Sequence, residues 1–148
     1  LMARKSPKFK QGYFQPKNPN KYRGKHVPIY RSGWELAFMR LCDGHPNVEC
    51  WASESHSIPY RNPFTGKMTK YIPDFLLSYA DKNGRKHIEL VEVKPSKQAG
   101  ITESRSRKDK AAVILNKAKW DAAQEWCKRR GIKFRIVTEN EIYHKPQK

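Results

Sequence analysis

Residues 72–94 read IPDFLLSYADKNGRKHIELVEVK, and their pairing decides the fold. Two hydrophobic runs flank Asp81-Lys82-Asn83-Gly84-Arg85, whose Asn-Gly step turns one strand back on another. A three-residue loop, Lys82-Asn83-Gly84, with Gly84 in the left-handed region, pairs Asp81 with Arg85. Continued without a bulge, that register sets Asp74 opposite Glu92. Directly opposed Cβ atoms lie about 5 Å apart, where two carboxylates repel unless a cation lies between them. At that spacing they can share one Mg²⁺ ion at about 2.1 Å. A two-residue turn shifts the register by one and places them on opposite faces, and Pro73 disturbs the ladder, so both pairings remain open.

Glu92 and Lys94 are two apart in the same strand and therefore share a face. An amine there can hold a water or a non-bridging phosphate oxygen, or help lower the pKa of an attacking water. A metal beside it would polarise a phosphoryl group and generate hydroxide, which suits phosphodiester hydrolysis. An isolated Asp or Glu-x-Lys in a strand is commonplace. The context is what lifts this one: Pro-Asp precedes a hydrophobic strand, Glu-x-Lys ends another, and a hairpin turn joins them.

Outward from this hairpin, Ser32 opens a short helix with Trp34, Ala37, Phe38 and Leu41 on one face and Gly44 as the stop signal. Residues 48–60 are β-compatible, and Asn62-Pro63-Phe64-Thr65-Gly66 turns the chain into a second strand over 68–79. The third strand covers 87–94. A polar loop is expected after Pro95, then a long helix from near Lys108 to Arg130. Its core stripe is Ala111, Ile114, Leu115, Ala118, Ala122 and Trp126. Lys128-Arg129-Arg130-Gly131 supplies terminal cations and a left-handed cap. Residues 133–137 form a last strand. The order α-βββ-α-β predicts an α/β fold, a mixed sheet flanked by helices.

The chain has 148 residues, enough for one domain and one site. Its 31 Lys and Arg against 14 acids give a net charge of +17, a field that attracts a polyanion. DNA is the expected partner. An acidic membrane surface is the runner-up, although no apolar run reaches the length of a spanning helix and no signal peptide is evident. The expectation is a soluble, intracellular protein. Leu1 ahead of Met2 is expected to be a cloning remnant with no part in the fold.

Residues 2–31 contain no acid and nine Lys or Arg, with Pro7, Pro16, Pro19 and Pro28 preventing a long helix. They are read as an extended basic arm (residues 1–31) ahead of the domain (32–148). Phe9, Tyr13, Phe14, Tyr22 and Tyr30 lie among the cations and could stack on bases or anchor the arm. A solvated tail is the plainer alternative. Cys42, Cys50 and Cys127 fit neither a disulfide framework nor a zinc pair, and are expected to be reduced and mostly buried. The five His are scattered, so zinc is not expected.

Asp74, 18 positions before Glu92, together with Lys94 resembles the PD-(D/E)xK nuclease signature. Ser32-Gly33-Trp34-Glu35 is similar to the acid-bearing first helix of that fold. Lys119-Trp120 and residues 131–139 resemble the helix and strand that follow the site in TnsA-like endonucleases. The resemblance spans about residues 31–142 and implies a restriction-endonuclease-like core with Glu35, Asp74 and Glu92 as metal ligands. It also implies Lys94 as the catalytic lysine and Mg²⁺ as cofactor, with Mn²⁺ as a substitute. In size and basic segment the chain resembles head-completion nucleases of T-even-type tailed bacteriophages. That likeness implies a role in head completion and DNA packaging, with phage head and neck proteins as partners. It further implies a location in the host cytoplasm during assembly and on the virion.

Ser32-x-x-Glu35 is equally a capping box, in which Glu35 only caps a helix. Glu89 faces away from Glu92 and is expected at the surface. Tyr71, Gln124 and Lys119 are placed near the site in structural roles. The leading expectation is a metal-dependent DNA endonuclease, monomer or homodimer. A non-catalytic DNA-binding component of the head or neck is the alternative, since charge predicts binding and not cleavage. An RNA-directed or junction-resolving nuclease is a third reading, although no RNA-binding motif is present.

Overall fold

The computed structural model describes residues 11–96 and 106–143. The first ten residues of the basic arm, Phe9 among them, and most of the loop expected after Pro95 lie outside the described residues. The strands are β1 (Gly12–Tyr13), β2 (Ile29–Tyr30), β3 (Val48–Ser53), β4 (Ile58–Arg61), β5 (Met68–Tyr71), β6 (Phe75–Ala80), β7 (Lys86–Val93) and β8 (Lys133–Val137). The helices are α1 (Gly33–Gly44), α2 (Arg107–Arg130) and α3 (Glu139–Tyr143).

A four-stranded sheet in the order β3-β6-β7-β8 forms the middle layer, antiparallel except for the parallel pair β7–β8 joined through α2. This is the mixed, helix-flanked sheet that the sequence predicts. Phe75 pairs with Val91 and Ala80 with Lys86, while Asp81 N–H donates to the Arg85 carbonyl at 2.9 Å. Gly84 adopts φ +82, so the three-residue turn forms and Asp74 lies opposite Glu92 one step beyond the ladder.

Alternation along β6 and β7 divides the core between the two faces of the sheet. Phe75, Leu77, Val91 and Val93 face α1, where Phe38, Met39, Cys42 and Trp51 join them. Leu76 and Leu90 face α2, against Ala123, Cys127 and the β4–β5 hairpin. Cys42 and Cys127 are buried and Cys50 is half-buried, all with free thiols. No helix among the described residues is long and apolar enough to cross a membrane.

Several expected boundaries move. The two long strands expected over 48–60 and 68–79 each break in two, and β4 pairs with β5 as a separate ribbon. Glu54 takes a left-handed conformation (φ +48) at the end of β3, and polar Ser55, His56 and Ser57 follow it. At the other break Pro73 has no N–H to continue a ladder. On α1, Leu36, Met39 and Cys42 are buried with Phe38, so the buried stripe lies beside the expected one. Ile114 of α2 is exposed rather than buried.

Within the basic arm, residues 11–31 are anchored to the domain, one of the two roles its aromatics allow. Phe14 is buried and Tyr22 stacks edge-on against Trp51, with ring centroids 4.7 Å apart. The buried Asp43 carboxylate accepts the backbone N–H of Lys17 at 2.9 Å and of Asn18 at 3.0 Å. Proline blocks regular structure here but leaves the interleaved aromatics able to reach the core.

Candidate active site

Asp74 stands just ahead of β6, and its Oδ2 accepts the N–H of Val93 at 2.8 Å. Its carbonyl accepts the N–H of Glu54 at 2.8 Å, so β3 and β7 both fix the residue. Glu92 is buried beside it, with Oε1 accepting the Tyr71 hydroxyl at 2.8 Å and Oε2 lying 3.6 Å from Lys94 Nζ. Lys94 is held at its backbone, where its N–H donates to the Val137 carbonyl at 2.9 Å. Tyr71 reaches Glu92 because β5 ends beside the sheet, three residues before Asp74. Lys119 extends from α2 over the Tyr71 ring, 5.7 Å from its centroid.

Glu35 sits in the first turn of α1, near the Asp74 carboxylate. Ser32 Oγ accepts the Glu35 N–H at 3.1 Å, as a helix cap should. The return bond of a capping box, however, runs from the N–H of Arg31 to Glu35 Oε1 at 3.0 Å, one residue earlier than Ser32. The same carboxyl stands close enough to Asp74 to raise its titration, and close enough to Glu92 to be raised by it. Arg31 then bonds Glu54 through Nε at 3.0 Å and Nη2 at 3.2 Å. Arg31 and Glu54 were not expected at the site. Their ion pair joins positions 23 apart in irregular segments, and no periodicity links those.

The electrostatics follow from crowding acids at the edge of a core. Burial raises the Asp74 carboxyl well above its ordinary pKa, and repulsion from Glu92 and Glu35 adds to this. Burial also raises Glu92, against the opposing pull of Lys94, Tyr71 and Lys119. Glu35 is raised by burial, with the Arg31 bond opposing. Lys119 is lowered by burial and by the neighbouring Lys94 charge. Among the described residues no three His, Cys, Asp or Glu side chains are gathered as they stand around a point that would hold one ion. Asp74 and Glu92 are the two most closely associated carboxyls here, with Glu35 within electrostatic range of Asp74.

A carboxyl whose folded pKa lies above its unfolded value binds more protons in the folded state across that interval. Its contribution to stability therefore declines as pH rises through the interval. In divalent-free buffer Asp74→Asn is expected to raise Tm at about pH 8, with the gain shrinking toward about pH 4. Asn keeps an acceptor for Val93 N–H, so a lower Tm at the alkaline end, measured by circular dichroism, would contradict the assigned repulsion.

Two sequence expectations fail near this site. Gln124 is exposed and borders a shallow pocket with Gly131 and Phe134, on the solvent side of α2. Glu89 does face away from Glu92 but is buried, not at the surface. Tyr79 Oη donates to it at 2.7 Å and Arg135 Nε at 2.8 Å. The α1 face buries this acid because β8 supplies a cation opposite it, which alternation alone cannot reveal.

Residues 45–139 match the family described as TnsA-like endonuclease N terminal. The chain is also 36% identical over 140 residues to the head completion nuclease of Enterobacteria phage T4, a match covering 87% of this chain and 91% of that protein. The family match contains Asp74, Glu92 and Lys94 and begins after Glu35. This chain belongs to the TnsA-like endonuclease family.

Proposed function

We propose that the chain is a Mg²⁺-dependent DNA endonuclease acting in phage head completion, with Asp74, Glu92 and Lys94 as its chemical centre. The observation that carries this reading is that Asp74, just ahead of β6, falls one register step beyond the Phe75–Val91 pair and so opposite Glu92, with Lys94 Nζ beside Glu92. The divalent ion fits the residues: an all-oxygen pair whose mutual repulsion a cation would relieve. Mg²⁺ commonly uses one or two carboxylates and takes its other ligands from water and substrate phosphates. Asp74 and Glu92 would hold it, with Glu35 as the third acid. When bound, it would polarise the scissile phosphoryl group and acidify a water.

The protein's own groups do the positioning. Lys94 offers its ammonium to a non-bridging phosphate oxygen or to the attacking water. Tyr71 fixes the rotamer of Glu92, and the Val93 N–H fixes Asp74. Lys119 adds a second cation on the α2 side. The net charge of +17 supports a polyanionic substrate, and the relative's name supports head completion. On that basis the protein works in the host cytoplasm during assembly and stays with the virion beside head and neck proteins. Supercoiled plasmid incubated with Mg²⁺ is expected to be nicked or linearised, with Mn²⁺ substituting and EDTA stopping the reaction. An intact plasmid under all divalent conditions would favour a purely structural DNA-binding role.

A further inference from the structure

Residues 55–73 contain no acid, yet they hold Arg61, Lys67 and Lys70 and lead directly into Asp74. The β4–β5 ribbon in this stretch has two unlike faces. Ile58, Tyr60 and Tyr71 are buried against α2. On the outer face Met68, Lys70 and Ile72 alternate along one strand, with Arg61 opposite Met68 and Pro59 opposite Lys70. Phe64 sits in the connecting turn. Phe64, Met68 and Ile72 are 58%, 57% and 51% exposed, a concentration of apolar surface that the fold leaves uncovered. Arg61 bonds the Gly66 carbonyl and stiffens the turn, and neither Lys67 nor Lys70 has a carboxylate partner among the described residues.

We propose that this hairpin is a DNA-groove contact that seats the duplex against the site, an inference that rests on the DNA nuclease reading. Lys67 and Lys70 would neutralise phosphates while Phe64 and Met68 press on sugars and base edges. A two-stranded ribbon is a shape that a DNA groove admits, and exposed apolar side chains among cations suit sugar and base surfaces. Charge complementarity chooses DNA over a protein partner, because Arg61, Lys67 and Lys70 among the exposed apolar side chains are all cations and residues 55–73 hold no acid. At about 3.3 Å per strand residue the tip stands about 15–20 Å from Tyr71. The contact therefore falls about five base pairs from the scissile phosphate, at about 3.4 Å per pair.

The test is anisotropy binding of the full chain to a short duplex in EDTA, repeated over a range of salt. Lys67→Gln/Lys70→Gln is expected to weaken binding and reduce the slope of log K against log salt by about 2, near 0.9 per phosphate contact. Phe64→Ala is expected to cost about tenfold in affinity with the slope unchanged, because it removes contact area and no charge. Lys82→Gln/Arg85→Gln, two exposed cations on the turn at the far end of the sheet, is the matched control. An equal slope change in the control, or none in the hairpin pair, would overturn the assignment. Plasmid cleavage by the wild type, measured in parallel, separates the two readings. Loss of binding in the hairpin variants of a protein that cuts nothing would sink the nuclease reading and keep the hairpin. Full binding by those variants of an active enzyme would do the reverse.

Discussion

Asp74→Ala and Lys94→Ala are each expected to lower plasmid cleavage by about 10²–10⁴-fold while DNA binding stays within a few-fold of wild type. Asp74→Ala removes one of the two opposed oxygen donors and the anchor on Val93 N–H. Lys94→Ala removes the cation nearest Glu92. Neither should impair binding much: the first deletes a negative charge, and the second takes one of 31 cations. Gel shift in EDTA and plasmid cleavage in Mg²⁺ separate the two effects. Glu89→Gln is the contrast, a buried acid three register steps away on the other face whose amide can still bond Tyr79. It should cut at the wild-type rate wherever it is folded. Cleavage retained in both Asp74→Ala and Lys94→Ala would remove these residues from the chemistry whatever the family.

Tyr71→Phe is informative between these extremes. It leaves Glu92 without its hydroxyl donor but keeps the ring beneath Lys119. Glu92 then depends on Lys94 alone for orientation, so the variant should act through positioning and lose less activity than either alanine change. Arg31 has the same kind of role for Glu35, holding it through a backbone N–H that every substitution except proline retains.

Local chemistry explains which parts of this fold could be read from the chain. The register of β6 and β7 depends on one turn, and Asn83-Gly84 specifies that turn within five residues. From it the opposition of Asp74 and Glu92 follows by counting. The end of α2 was equally legible, since Gly131 takes φ +69 and Lys128-Arg129-Arg130 precede it. What escaped was non-local. Glu89 looked solvent-bound because its cation arrives from β8, 46 residues later. How the basic arm attaches at residues 11–31 was not readable, because no periodic pattern marks a segment anchored by single aromatics. The β4–β5 ribbon was hidden inside two apparently continuous strands, whose breaks rest on one proline and one left-handed Glu54.

Trp51→Ala is expected to cost about 3–5 kcal/mol of stability, the range for emptying a fully buried large aromatic. Against the roughly 5–15 kcal/mol that holds a domain together, that is a large fraction. Trp51 is where three parts of the chain meet: Phe14 at 6.0 Å, Tyr22 at 4.7 Å and Phe75 at 6.2 Å between ring centroids. Its carbonyl also accepts the Arg23 N–H at 2.8 Å, which ties the N-terminal segment to β3. Removing the ring should therefore free residues 11–31 before the sheet itself unfolds. Trypsin would then cut early at Lys17, Lys21, Arg23 and Lys25, and urea denaturation would show a lowered midpoint. If the midpoint and the tryptic pattern both matched wild type, the segment would be a passenger on the domain. Early cutting would instead show that Trp51 anchors the basic segment, and with it Arg31, which bonds Glu35 and Glu54 at the edge of the site.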